Sequence, residues 1–162
     1  MRPAIRPFET ARDQDAVVAL SLRAWEPVFA SLERALGPSG LYAQMHPDWR
    51  ADQRQAVLAV CEGEEDQVWV AETGGRVIGF VAVRLHHQDD LGEIYMIAVD
   101  PDHQRAGVGA LLTSFALDQI RATGLPMAMV ETGGDPGHLP ARLTYERAGF
   151  TELPISRYFK RL

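Results

Sequence analysis

Ile97-Ala98-Val99-Asp100-Pro101-Asp102-His103-Gln104-Arg105-Ala106-Gly107-Val108-Gly109-Ala110-Leu111-Leu112 is the stretch that decides the fold. It opens as an apolar strand, stops at Asp100-Pro101, passes a glycine-bearing turn and enters an apolar-periodic segment. Two glycines at spacing two, at a helix start, let a ligand approach the backbone closely. The first turn of a helix also carries unpaired N–H donors and a partial positive charge. A diphosphate fits such a place, and Arg105 can add a charge-assisted contact. A tight turn with no ligand is the other reading of the spacing alone. Two phosphate motifs are excluded. A P-loop needs Gly-Lys-Ser/Thr, and Val-Gly-Ala follows Gly107. A dinucleotide fingerprint needs a third glycine, and Leu112 occupies that slot.

Upstream, Glu93 to Val99 extends the strand. Before it, Gln67–Glu72 and Arg76–Leu85 read as a hairpin across Thr73-Gly74-Gly75. Ala4–Phe8 predicts a first strand. Thr10 offers an N-cap for a helix carrying Ala16, Val17, Leu20, Leu22, Ala24 and Trp25. That helix reaches Ala30, or Leu36 if Phe29, Leu32 and Ala35 continue it, before Gly37-Pro38-Ser39-Gly40 breaks it. A second helix follows Pro47 and ends near Gly63. Downstream, the helix that begins near Gly107 stops at Gly124. Met127–Glu131 predicts a buried strand, Gly133–Gly137 a loop, Pro140–Ala148 a helix closed by Gly149, and Phe150–Leu162 a final strand or strand pair. The strand–helix–strand unit from Glu93 to Glu131 should be parallel, because its crossover is a helix. The expected class is therefore α/β, one domain over residues 1–162, with flanking helices on a mixed, mostly antiparallel sheet.

The bulk numbers agree with one domain. There are 162 residues, 46% of them apolar, and the net charge of −6 offers no basic surface for nucleic acid. The lone cysteine, Cys61, permits no internal disulfide and fits a reducing cytoplasm. No apolar run is long enough for a membrane span, and Met1–Pro7 lacks the apolar region of a secretory signal.

The strand ending in Val99-Asp100-Pro101, with Gln104 to Leu112 after it, resembles the acetyl-CoA motif of the GCN5-related N-acetyltransferases (GNAT). Ala141-Arg142-Leu143-Thr144-Tyr145-Glu146-Arg147-Ala148-Gly149-Phe150 resembles that family's second motif. The resemblance implies a central parallel strand pair, Glu93–Val99 and Met127–Glu131, splayed apart with the help of a bulge. It implies acetyl-CoA as donor, no metal, and direct attack of a primary amine on the thioester through a tetrahedral intermediate. The pyrophosphate would lie on the amides of Arg105, Ala106, Gly107, Val108, Gly109 and Ala110, with Gln104 also in the cofactor site, and the pantetheine arm along Ile97, Ala98 and Val99. The N–H of Ile97 would be the oxyanion donor, a role worth about 3–4 kcal/mol. Tyr145 would protonate or hold the departing thiolate, and Glu93 would be the base, directly or through water. His138 stands where many members have an asparagine that contacts the pantetheine; it replaces that contact, accepts a proton or sits at the loop mouth. The acceptor, a small molecule or peptide amine, is not legible, and a homodimer is frequent in the family. The alternative is a non-catalytic acyl-CoA sensor or interaction module on the same fold.

Other side chains were weighed. His46, His86, His87, Asp89 and Asp90 match no metal-ligand spacing closely and read better as loop residues. Trp25, Phe29 and Tyr42 line an acceptor pocket or form core. Cys61 reads as a spectator, because nothing in the sequence places a base beside it.

Overall fold

The computed structural model describes residues 3–162; Met1 and Arg2, the start of the segment read for a secretory signal, lie outside the described residues. Five strands form one sheet in chain order: β1 (Ala4–Pro7), β2 (Asp66–Thr73), β3 (Arg76–His86), β4 (Leu91–Val99) and β5 (Met127–Val130). β1 to β4 run antiparallel, and β4 pairs with β5 in parallel. The mixed α/β class expected from the sequence is the observed one. The β2–β3 turn is tight because Gly74 and Gly75 both adopt positive φ, 57° and 75°.

Helices cover both faces. α1 (Thr10–Leu36), the short α2 (Leu41–Met45) and α3 (Trp49–Glu62) precede β2; α4 (Val108–Ala122) lies between β4 and β5, and α5 (Leu139–Arg147) follows. One core joins Val17, Val18, Leu20, Val57 and Cys61 of α1 and α3 to Val70, Phe80 and Ala98 of the sheet. The other joins Val108, Leu112, Ala116 and Ile120 of α4 to Ile78, Val81, Val83 and Ile94. The α4 spacing is that of one helical face, which is why this segment folds as a helix over the sheet.

Three expectations change. Thr10 is the first helical residue, not the cap; Glu9 caps, and its N–H donates to the buried Asp13 carboxylate at 2.9 Å. α1 takes the longer of its two readings, through Pro27 to Leu36, and α2 is an additional turn. Residues 151–162 form no strand. Pro154 cannot donate to a ladder, and Leu153, Ile155 and Tyr158 are fully in solvent, so β5 keeps β4 as its sole strand neighbour among the described residues.

Candidate acetyl-donor and acceptor site

β5 ends half-way along β4. The parallel ladder covers Leu91 to Ile94 opposite Met127 to Val130, and from Tyr95 onward β5 no longer accompanies it. A bulge sits at the same place: Ala82 pairs with Met96 and Val83 with Ile94, leaving Tyr95 unopposed. A bulge bends and twists its strand, here at the residue where the ladder with β5 stops. The pair expected to be splayed, Glu93–Val99 and Met127–Glu131, is instead regularly paired up to Ile94 and Val130, and beyond that β4 has no strand beside it on the β5 side.

The opened segment presents backbone donors. Asp100 N–H donates to Ile78 O on β3 at 2.9 Å, and Val99 pairs with Gly79. Bonded and non-bonded pairs alternate along an antiparallel ladder. The N–H groups of Ile97 and Val99 therefore point away from β3, into the gap beside β5. The Val99 carbonyl on that side accepts from the Gln104 side chain at 3.1 Å. Gln104 thereby ties the turn to the end of β4. Ala98 points the other way and is buried in the α1-side core.

The turn itself is held from outside. Arg23 of α1 reaches the Asp100 carboxylate at 3.0 Å and Asp102 at 3.0 Å, and Asp102 N–H donates to Asp100 at 2.9 Å. Arg105 has φ +61° and Gly107 φ +82°. Alternating left-handed residues turn successive N–H groups into a concavity suited to an anion. Gly107 caps α4 with no side-chain hydrogen bond, so the first-turn donors of Val108, Gly109 and Ala110 are not taken by a cap. Arg105, Ala106, Gly107 and Ala110 are exposed, while Val108 is buried as the anchor of the turn. These features fit a pyrophosphate group at the helix start and an extended amide-bearing arm along Ile97–Val99.

Glu93 lies on the other side of the bulge. Val83 and Leu85 pack in the α4-side core, so His86 faces the α1 side; Ile94 packs there too, so Glu93 also faces the α1 side. His86 Nε2 and Glu93 Oε2 are 2.7 Å apart. On the same face, Arg84 is gripped by Asp66 at 2.7 and 2.9 Å, and its guanidinium stacks on Tyr95 at 3.7 Å from the ring centroid.

Tyr145 is buried on α5, edge-on to Phe150 at 6.0 Å between centroids. Burial pushes its phenol up to about 12. The hydroxyl thus keeps its proton across the neutral range. The helix ends as its glycine predicts: Gly149 has φ +91°, and Phe150 N–H returns to Tyr145 O at 3.1 Å.

His138 sits at the N-terminus of α5, its Nδ1 hydrogen-bonded to Asp135. Asp135 also accepts from Gly137 N–H at 3.0 Å, and Gly137 N–H contacts Ser31 Oγ of α1 at 3.0 Å. Arg142 donates to the carbonyls of Gly133 and Asp135 at 2.6 and 2.9 Å. Asp135, Ser31, Arg142, Arg23 and His86 organise the candidate site and were not assigned such roles from sequence. Arg142 carried a signal, its place inside the second motif; His86, read as a loop residue, is instead the last residue of β3.

The remaining candidates separate. Phe29 stacks on Trp49 at 4.5 Å and meets His46 at 5.3 Å; Tyr42 meets His46 at 5.3 Å. Phe29 and Tyr42 are buried, which makes this set packing rather than an open acceptor wall. Among the described residues, no group of three or more His, Cys, Asp or Glu is placed to hold a metal ion. No helix there is long and apolar enough to cross a membrane. Burial pushes the Cys61 thiol up to about 11.

A family model described as "Acetyltransferase (GNAT) family" matches residues 27–150. The chain belongs to that family. Among curated proteins, this GNAT chain is similar to the mycothiol acetyltransferase of Thermomonospora curvata, 32% identical over 154 residues, which are 93% of this chain and 45% of the relative. The chain thus spans less than half the length of that relative. Among solved structures, the ribosomal-protein-S18-alanine N-acetyltransferase of Escherichia coli superposes with a TM-score of 0.67 at 21% identity, covering 94% of this chain and 80% of the other. The PaiA N-acetyltransferase of Thermoplasma acidophilum, solved in complex with coenzyme A, gives a TM-score of 0.64 at 12% identity over 91% and 89%. At those identities the two structures speak for the GNAT fold.

Proposed function

We propose that residues 1–162 form one N-acetyltransferase domain that moves an acetyl group from acetyl-CoA to a primary amine. The observation that carries this reading is the end of β5 opposite Ile94, which leaves β4 without a strand on that side from Tyr95 to Val99, followed by a turn and a helix start with no side-chain cap. The gap offers strand-like pairing along Ile97–Val99, and the turn from Arg105 to Ala110 offers amide donors for a pyrophosphate. The resemblance of both motifs to the GNAT pattern supports the same assignment.

In this account the donor supplies a thioester whose carbon the amine attacks. The Ile97 N–H donates to the carbonyl oxygen as negative charge develops there. Glu93 takes the proton that frees the amine lone pair, directly or through one water. When the carbon–sulfur bond breaks, Tyr145 gives its proton to the thiolate. His138, oriented by Asp135, contacts the pantetheine arm from the α5 side. No step needs a metal ligand.

Similarity to mycothiol acetyltransferases puts an amine acceptor of the mycothiol type on the panel to be tried, beside amino acids, polyamines and peptide amines. The test is a screen for CoA thiol release from acetyl-CoA across that panel, with the acetylated amine identified by mass spectrometry. Amine-dependent release supports the reading. Tight acetyl-CoA binding with no release across the panel would point to the sensor or interaction module instead.

A further inference from the structure

We infer that His86 is a positioning residue for Glu93, aiming one carboxylate oxygen at the acceptor amine. The inference rests on Glu93 being the base, as proposed above. His86 is the last residue of β3, and the register Arg84↔Glu93, Leu85↔Gly92 and His86↔Leu91 makes it a diagonal cross-strand neighbour of Glu93. The contact of 2.7 Å has the length of a charge-assisted N–H···O bond.

The bond has a direction. An ionised carboxylate only accepts, so His86 must carry its proton on Nε2 and donate it to Oε2. Oε2 is then occupied and Oε1 is free. The proton lost by the acceptor ammonium goes to Oε1, and the nitrogen keeps the electron pair that attacks the thioester. His86 keeps its own proton throughout. His86 also lines an open depression with Leu85, His87, Gln88 and Asp89.

The neighbouring cation, Arg84, is engaged by Asp66 and by the ring of Tyr95. A glutamate with no such partner spreads over several rotamers, and its last torsion is broad. Glu93 is the inner member of the pair, its side chain 15% exposed, and His86 the outer at 32%. The arrangement is that of a carboxylate steadied from its solvent side.

The test compares His86→Leu, His86→Gln and Glu93→Gln in the full chain. Turnover uses acetyl-CoA and whichever primary amine releases thiol fastest in the panel. His86→Leu should lower kcat about tenfold to a hundredfold, the range for losing a hydrogen bond to a charged group, while the KM for acetyl-CoA stays the same. His86→Gln keeps a side-chain N–H donor and should restore kcat to within a few-fold of the parent. A long-range nitrogen–proton NMR spectrum should show the His86 ring as the Nε2–H tautomer in the parent. A His86→Leu variant with parental kcat beside an inactive Glu93→Gln overturns the positioning role and leaves the base reading standing. An active Glu93→Gln overturns the base reading itself, and the positioning role with it. His86→Gln as slow as His86→Leu, or a His86 ring protonated on Nδ1 alone, also overturns it. Should His86→Leu fail to fold by thermal melting, the glutamine variant and the tautomer decide.

Discussion

Arg105 and Gly107 are the two left-handed residues of one turn, φ +61° and +82°, with Ala106 between them. A Cβ at Gly107 would meet no atom within 4 Å, so this glycine serves the backbone conformation rather than space inside the protein. A β-branched residue there is strained by about 1–2 kcal/mol. Gly107→Val should weaken acetyl-CoA binding at least tenfold in a calorimetric titration, with only a small loss of melting temperature. Gly107→Asn, which tolerates the left-handed region, should bind more tightly than Gly107→Val. Equal affinity in the valine variant and the parent would remove the turn from the donor site.

Tyr145 leads to a kinetic and a pH prediction. Its phenol, pushed up to about 12 by burial, stays protonated through neutral and mildly alkaline solution. Tyr145→Phe should therefore lower kcat by about a hundredfold, within the usual range for a general acid, and leave acetyl-CoA affinity nearly unchanged. The parent should show no loss of kcat in mildly alkaline buffer that is absent from the phenylalanine variant. A phenylalanine variant with parental kcat would take the acid role away.

The main architecture was legible because it rests on local pattern. The continuous apolar run of β3 after its Gly-Gly turn, the helical face of α4 and the helix-ending glycines at 124 and 149 all act over a few residues. The site was legible only where a motif spans it. Ser31 and Gly137 lie 106 residues apart, and Arg23 and Asp100 lie 77 apart; no local period joins such partners. The tail Phe150–Leu162 read as a strand or strand pair, and Leu153 and Ile155 stand at alternate positions in it. Alternation shows that a segment can be half buried, but a strand also needs a ladder partner, and here the tail has none.

The N-terminus of α1 gives a stability prediction. Arg6 donates to both oxygens of the buried Asp13, at 2.6 and 2.8 Å, and to Glu72 at 2.6 Å. The Arg6 hydrogen bonds hold the Asp13 carboxyl below its ordinary value, against burial, with help from the Glu9 N–H. A depressed native value means the stabilisation is full above the ordinary carboxylate range near pH 4 and is lost as pH falls through the lower native value. Thermal melting should drop on acidification across that window. Asp13→Asn should cost about 2 kcal/mol at neutral pH, since it weakens the charge-assisted hydrogen bonds from Arg6, which keeps Glu72 as its other partner, and should flatten the acid dependence. An unchanged slope would assign the acid loss to other groups.

Cys61 should be inert. With its thiol buried and pushed up to about 11, it holds almost no thiolate at neutral pH. Cys61→Ala should keep parental kcat, and iodoacetamide should leave the native protein unmodified by mass spectrometry. Rapid alkylation, or loss of turnover in the alanine variant, would reopen a covalent route.

The most direct measurement is a map of backbone amide shifts as acetyl-CoA is added to the isotope-labelled chain. The amides of Ile97 and Val99, on the open edge of β4, and of Gly107, Val108 and Gly109, at the start of α4, should move most. The paired amides between β1 and β2 should stay in place. Saturable binding that shifts other regions and leaves Ile97, Val99 and the turn unmoved would contradict the account.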